Sequence, residues 1–322
     1  MSALALASPA SLKGVLDSAS AARHLAAGLS RFVDAEELPV ADGGEGTAAV
    51  LHAALGGEWR TARVSDPTGR PVTARWLALP DGSAVVDSAE AVGLPLVGEQ
   101  ERDPLRASTR GLGELLLAIL AEEPRELLVG VGGTATVDGG VGMREVAGSA
   151  LRAARVRVLC DVRNQLLGER GAARAFGPQK GAGPEAVEEL ERRLASLAEL
   201  EPFRDLPGAG AGGGLGAGFA ALGAELCDGG SVVLDTIGFD RRARRADLVV
   251  TGEGAVDRTT LEGKAPGAVV QRCAALGVAC VLFGGVVRDG IDARPLSGDV
   301  RCAGEDLEEL GAELGRALFE RA

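Results

Sequence analysis

The sequence contains no tyrosine, two tryptophans and only two histidines in 322 residues. Both histidines, His24 and His52, fall in predicted helices away from the glycine-rich loops, so no zinc set and no serine-hydrolase triad can be assembled from this chain. Five cysteines (Cys160, Cys227, Cys273, Cys280 and Cys302) are scattered without metal-ligand spacing, which points to free thiols in a reducing, cytoplasmic setting. No uncharged apolar stretch approaches the roughly 20 residues that a membrane helix requires. The apolar N-terminus lacks a positive n-region and reads as a first buried strand rather than a signal peptide. Basic residues are also in deficit: 34 Lys plus Arg stand against 46 Asp plus Glu, a net charge of -12. That balance leaves no excess of positive surface for a nucleic-acid backbone. The run Arg241, Arg242, Arg244, Arg245 reads as a solvated helix face or turn.

With 46% hydrophobic residues the chain is long enough for two cores and too apolar for disorder. Its 48 glycines cluster directly after short apolar runs, the pattern expected where strands of a parallel sheet end in ligand-binding turns. Strands are predicted at 4–7, 38–40, 75–79, 84–87, 127–131, 156–160, 232–235, 248–251 and 278–283. Several lack polar alternation, as strands covered on both faces do. Helices are predicted at 18–30, 46–55, 112–120, 184–200, 216–226, 267–276 and 305–319. The segment 58–103 differs in texture, with Pro-Thr-Gly and Asp-Gly turn signals and antiparallel character. The expected fold class is therefore α/β, with a discontinuous parallel-sheet domain made of residues 1–56 plus 236–322 and a second α/β domain, 57–235, inserted into it.

Four constellations carry chemistry. In Val40-Ala41-Asp42-Gly43-Gly44-Glu45-Gly46-Thr47 a buried strand runs into an aspartate and a turn that a Cβ would obstruct. Exposed amides there can hold an anion while Asp42 holds a cation or orients a hydroxyl. In Gly130-Val131-Gly132-Gly133-Thr134-Ala135-Thr136-Val137-Asp138-Gly139-Gly140 two Gly-Gly pairs flank two hydroxyls and one Asp. This string lacks the spacing of the dinucleotide fingerprint. A third set joins Asp161 and Asn164, at a strand end, to Lys180 in the tight turn Gly177-Pro178-Gln179-Lys180-Gly181, a setting suited to neutralising phosphate or carboxylate. The fourth is Thr251-Gly252-Glu253-Gly254 with Asp257, Gly263 and Lys264 beyond. Arg258 stands at the first glycine position of a Walker A string and Ala265 follows the lysine, so no P-loop is present. Ser11-Leu12-Lys13-Gly14 lies directly after the first strand, and the tract 207–216 is a further anion nest or a hinge. For each loop the structural alternative is a capped or flexible sheet-to-helix turn, and Lys180 taken singly is more often a plain surface residue, a reading that its turn context brings level with the functional one. Carboxylates, lysines and bare amides at strand ends fit phosphoryl transfer better than hydride transfer or hydrolysis.

These strings, together with Arg102-Asp103-Pro104-Leu105, Ser108-Thr109-Arg110-Gly111-Leu112-Gly113-Glu114-Leu115 and Leu206-Pro207-Gly208-Ala209-Gly210, resemble the bacterial type I glycerate kinases, in the same order from about Ser8 to Ala279. The resemblance implies transfer of the ATP γ-phosphoryl to D-glycerate with Mg²⁺, and a flavodoxin-like, Rossmann-like domain into which the other is inserted. On that basis Lys13, Asp42, Asp161 and Lys180 are the catalytic candidates. Ser11, Asn164, Asp138 and Lys264 are substrate-binding candidates, and Gly43, Gly44, Gly132, Gly133, Thr134, Thr136 and Gly252 are phosphate or nucleotide candidates. Glu253 and Asp257 are the metal candidates. The chain departs from the family where Ala10 and Val15 replace the outer residues of Asp-Ser-Phe-Lys-Gly-Ser and Leu12 its Phe. Val137 stands for Asn, Gln165 stands for Pro, and the family carries a longer segment between Met143 and Val156. Two other functions stay compatible with these residues: a kinase of another small hydroxy acid, and a non-catalytic metabolite-binding protein. The expected partners are D-glycerate and ATP, with neither nucleic acid nor membrane, in a monomer or homodimer.

Overall fold

The computed structural model describes residues 3–261, 264–288 and 290–321. Eleven strands are found among them: β1 (Leu4–Ala7), β2 (Asp34–Glu37), β3 (Glu58–Ser65), β4 (Pro71–Ala78), β5 (Ala84–Asp87), β6 (Leu127–Gly130), β7 (Val156–Cys160), β8 (Glu225–Asp228), β9 (Leu248–Val256), β10 (Cys280–Val287) and β11 (Arg294–Pro295). They form two sheets, and the chain divides into two compact units with one sheet each: residues 1–42, 49–54 and 230–322, and residues 43–48 with 55–229.

The first unit holds five parallel strands in the order β2-β1-β9-β10-β11. Taken in chain order this is 2-1-3-4-5, the flavodoxin-like arrangement, whose strand order reverses between β1 and β9. Ala5, Leu6 and Ala7 have no exposed surface, nor have Val249 and Val250. Both faces of these central strands are therefore covered, which is why their sequences run apolar without alternation. The helix Ser18–Leu29 opens with Asp17 accepting from Ser20 N at 2.7 Å, and an Asp there satisfies one of the otherwise orphaned amides. It buries Ala21, Leu25 and Leu29 with Leu307, Leu310 and Leu314 of the helix Ala303–Phe319, each leucine contributing roughly 2 kcal/mol of burial. His24 belongs to this helix pair, its Nδ1 lying 2.9 Å from Glu308 Oε1.

The second unit holds six strands in the order β3 to β8; β3, β4 and β5 pair antiparallel, and β5 to β8 run parallel. Trp76, Leu112, Leu115, Met143, Val158 and Phe219 belong to its main core. The carboxyl ends of β5, β6 and β7 lie side by side, delivering Asp87, Gly130 and Cys160 to one edge. No helix among the described residues is long and apolar enough to cross a membrane.

Several expected elements are corrected. Residues 232–235, read as a strand, lie in the helix Gly229–Thr236; a short apolar run has no period that separates the two. Leu38 and Val40 are buried beyond β2, donating to Ala7 O and Pro9 O, while the ladder itself uses the polar stretch Asp34–Glu37. The helix expected at 216–226 lies at Ala211–Ala220, with Glu225–Asp228 paired as β8. The helix expected at 184–200 ends at Ser196, and a 3-10 turn, Ala198–Phe203, follows.

Candidate active site

In the first unit the loops after β1 and β9 leave the sheet at its reversal point, the place where open α/β sheets bind ligands. A cavity of about 310 Å³ opens there. Ser11, Lys13, Glu253, Lys264, Asp299 and Asp306 supply its polar wall and Leu12, Val15, Val286, Leu296 and Val300 its apolar one. Glu253 is 8% exposed and its Oε1 accepts from Thr260 Oγ1 at 2.6 Å and from Lys264 Nζ at 3.4 Å. Burial raises its pKa against the pull of Thr260 and Lys264, and the negative charge of Asp42 adds to the rise. Asp42 Oδ2 lies 3.4 Å from Ala265 N, at the N-terminus of the helix Ala265–Leu276, where an anion is favoured.

Two residues of the fourth constellation make contacts within the fold. Gly252 is an interior residue of β9 and its carbonyl accepts from Ala10 N at 2.9 Å. Asp257 Oδ1 accepts from Thr259 N at 2.8 Å and Thr259 Oγ1 at 2.6 Å, and these bonds hold its carboxyl below the usual range. Gly263 lies outside the described residues.

In the second unit the turn 43–47 lies against the edge formed by β6 and β7. Gly43 has φ +90°, and a Cβ on it would stand 2.5 Å from Leu159 O, so neither the conformation nor the space admits a side chain. Gly132 N donates to Gly43 O at 3.4 Å. A Cβ on Gly132 would stand 2.6 Å from Gly44 Cα and 3.3 Å from Asp161 Oδ2. The two glycine turns and Asp161 thus converge. Gly133 takes a positive φ of 73° beside Glu45.

Lys180 completes this cluster. It is 3% exposed, and Nζ donates to Thr134 Oγ1 at 3.0 Å and Thr136 O at 2.7 Å. Burial brings its pKa down to about 7, opposed by the charges of Asp138 and Asp161. An ammonium has three donors and these two bonds use two of them. Thr136 Oγ1 is buried with no hydrogen-bond partner. Asp138 is occupied by its own loop: Oδ2 accepts from Thr109 N (2.9 Å), Thr109 Oγ1 (2.8 Å) and Gly142 N (3.3 Å), and Oδ1 from Gly140 N (3.0 Å). Asn164 likewise binds its own loop, Nδ2 donating to Arg170 O at 2.6 Å.

The sequence reading passed over Asp87, although it ends an apolar strand as Asp42 and Asp161 follow theirs. Asp87 is buried, with Oδ2 accepting from Gly46 N at 2.9 Å and Oδ1 from Ala48 N at 3.2 Å. Burial pushes its pKa up to about 7, partly offset by those amides and assisted by Glu90 and Glu45. Thr260, the partner of Glu253, carried no signal in sequence beyond its place in a turn. Val137, the departure beside Asp138, is buried in an apolar cluster with Leu166 and Leu194. A hydrophobic side chain suits that position, and the change leaves the polar contacts of the loop in place. Among the described residues no group of three or more His, Cys, Asp or Glu is placed to hold a metal ion.

The chain is similar to known proteins over nearly its whole length. A family profile described as the glycerate kinase family matches residues 5–151 and 144–300. The two matched segments meet inside the helix Val141–Ala153, where the resemblance implied that the family carries a longer segment. A glycerate kinase of Bacillus subtilis strain 168 is 36% identical, with 96% of each chain covered. A glycerate 2-kinase of Escherichia coli K12 is 38% identical over 80% of this chain and 78% of its own. A crystal structure solved under the description glycerate kinase 2 from Salmonella typhimurium LT2 superposes with a TM-score of 0.82 at 30% identity, covering 99% of this chain and 98% of that one.

Proposed function

Because this chain belongs to the glycerate kinase family, we propose that it transfers the γ-phosphoryl group of ATP to a hydroxyl of D-glycerate. The observation that carries the reading is the buried ammonium of Lys180, held by Thr134 and Thr136 near the charges of Asp138 and Asp161, with no ion pair among the described residues. A cation kept away from water and unneutralised by a close ion pair is costly unless an anion joins it, and a migrating phosphoryl is such an anion.

The acceptor hydroxyl loses its proton to the Asp161 carboxylate as its oxygen bonds to the γ-phosphorus. The bond from that phosphorus to the bridging oxygen breaks, and ADP leaves with the electron pair. Lys180 and the amide of Gly133 offset the charge on the transferred oxygens, as preorganised donors do. For the first unit we read the cavity at the β1/β9 reversal as the nucleotide site, its apolar wall for the base and Lys13 and Lys264 for the phosphates. Ser11 stands at the same wall.

The donor set fits Mg²⁺. That ion is commonly held by one or two carboxylates plus substrate phosphates, and a divalent cation would relieve the repulsion between buried Glu253 and Asp42. Glu253 and Asp42 would hold it. When bound, it supplies neutralising charge to the nucleotide phosphates.

The test is a coupled assay of ADP release with D-glycerate, ATP and Mg²⁺, followed by phosphorus NMR of the product. One phosphoglycerate per ADP is expected. ADP formation only with other hydroxy acids would move the substrate, and none with any acid would leave a metabolite-binding protein.

A further inference from the structure

The tract Pro207-Gly208-Ala209-Gly210-Ala211-Gly212-Gly213-Gly214-Leu215-Gly216 is a sequence constellation that the proposed chemistry leaves unused. An anion nest needs free amides, but those of Ala209, Gly210, Ala211 and Gly214 donate to the carbonyls of Leu206, Asn164, Gly208 and Gly210. The tract also lies wholly inside the second unit, not at a join between the two.

Gly212, Gly213 and Gly214 have φ of +61°, +74° and +92°. Three successive residues in the left-handed region are a conformation that only glycine adopts without strain. This turn packs along the loop that carries Thr134 and Thr136. A Cβ on Gly212 would stand 2.7 Å from Val131 O, one on Gly213 would collide with Thr136 O, and one on Gly214 would stand 2.9 Å from Gly139 Cα. The Thr136 carbonyl is the oxygen that accepts from Lys180 Nζ at 2.7 Å. The Thr136 hydroxyl makes no hydrogen bond, so no side-chain bond tethers the residue. Its carbonyl is fixed by the flanking backbone, Ala135 N donating to Val92 O at 2.9 Å and Gly139 N to Gly213 O at 3.1 Å, and by the bare Cα of Gly213 lying directly against it.

We propose that the left-handed turn Gly212–Gly214 is a positioning element in which Gly213 seats the Thr136 carbonyl, and that carbonyl fixes the Lys180 ammonium where the phosphoryl group passes. What the ammonium meets rests on the phosphoryl-transfer reading, whereas the contact of Gly213 with Thr136 does not. A hydrogen bond to an ammonium favours its protonated form. Displacing the Thr136 carbonyl while Lys180 stays buried therefore lowers the affinity of Lys180 for its proton.

The full chain has three lysines, Lys13, Lys180 and Lys264, so lysine-selective carbon-13 labelling gives three Cε resonances to follow against pH, that of Lys180 assigned by its loss in Lys180→Met. Wild type is expected to titrate at Lys180 near pH 7. Gly213→Ala should lower that midpoint, a loss of proton affinity of about tenfold. It should also cut kcat at neutral pH by about ten- to hundredfold, and by less at lower pH. Gly212→Ala, which presses on Val131 O at the other end of the loop, should move both quantities the same way by less. Gly223→Ala is the control: its φ of +89° imposes comparable backbone strain, and its Cβ meets nothing within 4 Å. It should lower stability to urea and leave the Lys180 midpoint and kcat as in wild type. No variant replaces Asp138 or Asp161, the charges that act on Lys180. An unchanged or raised Lys180 midpoint in folded Gly213→Ala, or in Gly212→Ala should the first not fold, overturns the proposal, as does the same shift in Gly223→Ala. A lowered midpoint in a chain whose wild type forms no ADP upholds the seat of Thr136 and removes the kinase reading alone.

Discussion

Replacing Lys180 by Met tests the catalytic reading and the electrostatic one together. The substitution keeps most of the buried stem and removes a cation that donates to Thr134 Oγ1 and Thr136 O. Hydrogen bonds to charged groups are worth about 1.5–3 kcal/mol, so if the ammonium also grips the migrating phosphoryl, turnover should fall by about ten- to hundredfold. Stability should respond differently. Burial lowers the Lys180 pKa from 10.5 to about 7, so between those values the unfolded chain binds more protons than the folded one. Wild-type stability therefore rises with pH across that window, by on the order of 5 kcal/mol at most. Lys180→Met should lack this rise. It also leaves Thr136 O without its donor, a loss of about 1–3 kcal/mol. The variant should thus be about as stable as wild type at pH 7 and less stable at pH 9. Steady-state kinetics and urea unfolding at both pH values provide the measurements. The kcat/KM of wild type, which reports the free enzyme, should fall as pH rises through about 7. Near-normal turnover would remove Lys180 from the reaction, and parallel stability slopes in the two proteins would refute the burial argument.

Gly43→Ala combines a φ of +90° with a Cβ 2.5 Å from Leu159 O; urea unfolding should show a loss of about 2–4 kcal/mol, as other strained and overpacked sites do. Asp87 has its folded pKa raised to about 7, so its contribution is greatest at low pH and is lost as pH climbs from about 4 to 7. The fall is on the order of 4 kcal/mol at most, and Asp87→Asn should flatten it; a slope identical to wild type would exclude Asp87 as its source. Asp138→Ala withdraws the acceptor of four donors and should lower stability by about 3 kcal/mol. In a variant kept folded at low temperature, kcat should fall less than it does in Lys180→Met.

The parallel strands were readable because burial on both faces leaves a chemical trace: Leu4–Ala7, Ala84–Asp87, Val156–Cys160 and the start of β9 are largely apolar runs, the last three stopping at a glycine or a carboxylate. Strands at sheet edges leave no such trace. Asp34–Glu37, Glu58–Ser65 and Glu225–Asp228 are largely exposed or half-exposed, and pairing rather than composition defines them. The run at 232–235 misled for the opposite reason: it is apolar enough for a core strand, but two of its residues, Val233 and Leu234, are buried as part of a helix.

The site shows the same asymmetry between what a strand delivers and what a loop does with it. Position along the chain singled out Asp42, Asp138 and Asp161 and passed over Asp87, which ends an apolar strand, yet it is their surroundings that separate the four. Asp138 spends its acceptors on Thr109, Gly140 and Gly142 and thereby shapes the loop that presents Thr134 and Thr136 to Lys180. Asp87 does the equivalent for the turn at 46–48. A carboxylate saturated by donors of its own loop fixes a turn, as Asp138 does, whereas Asp161 stands where the two glycine turns converge. Spacing in the sequence is blind to that difference, because the donors to Asp87 lie about 40 residues upstream and Thr109 lies 29 before Asp138. Roles at such a site follow from which oxygens the fold has already claimed.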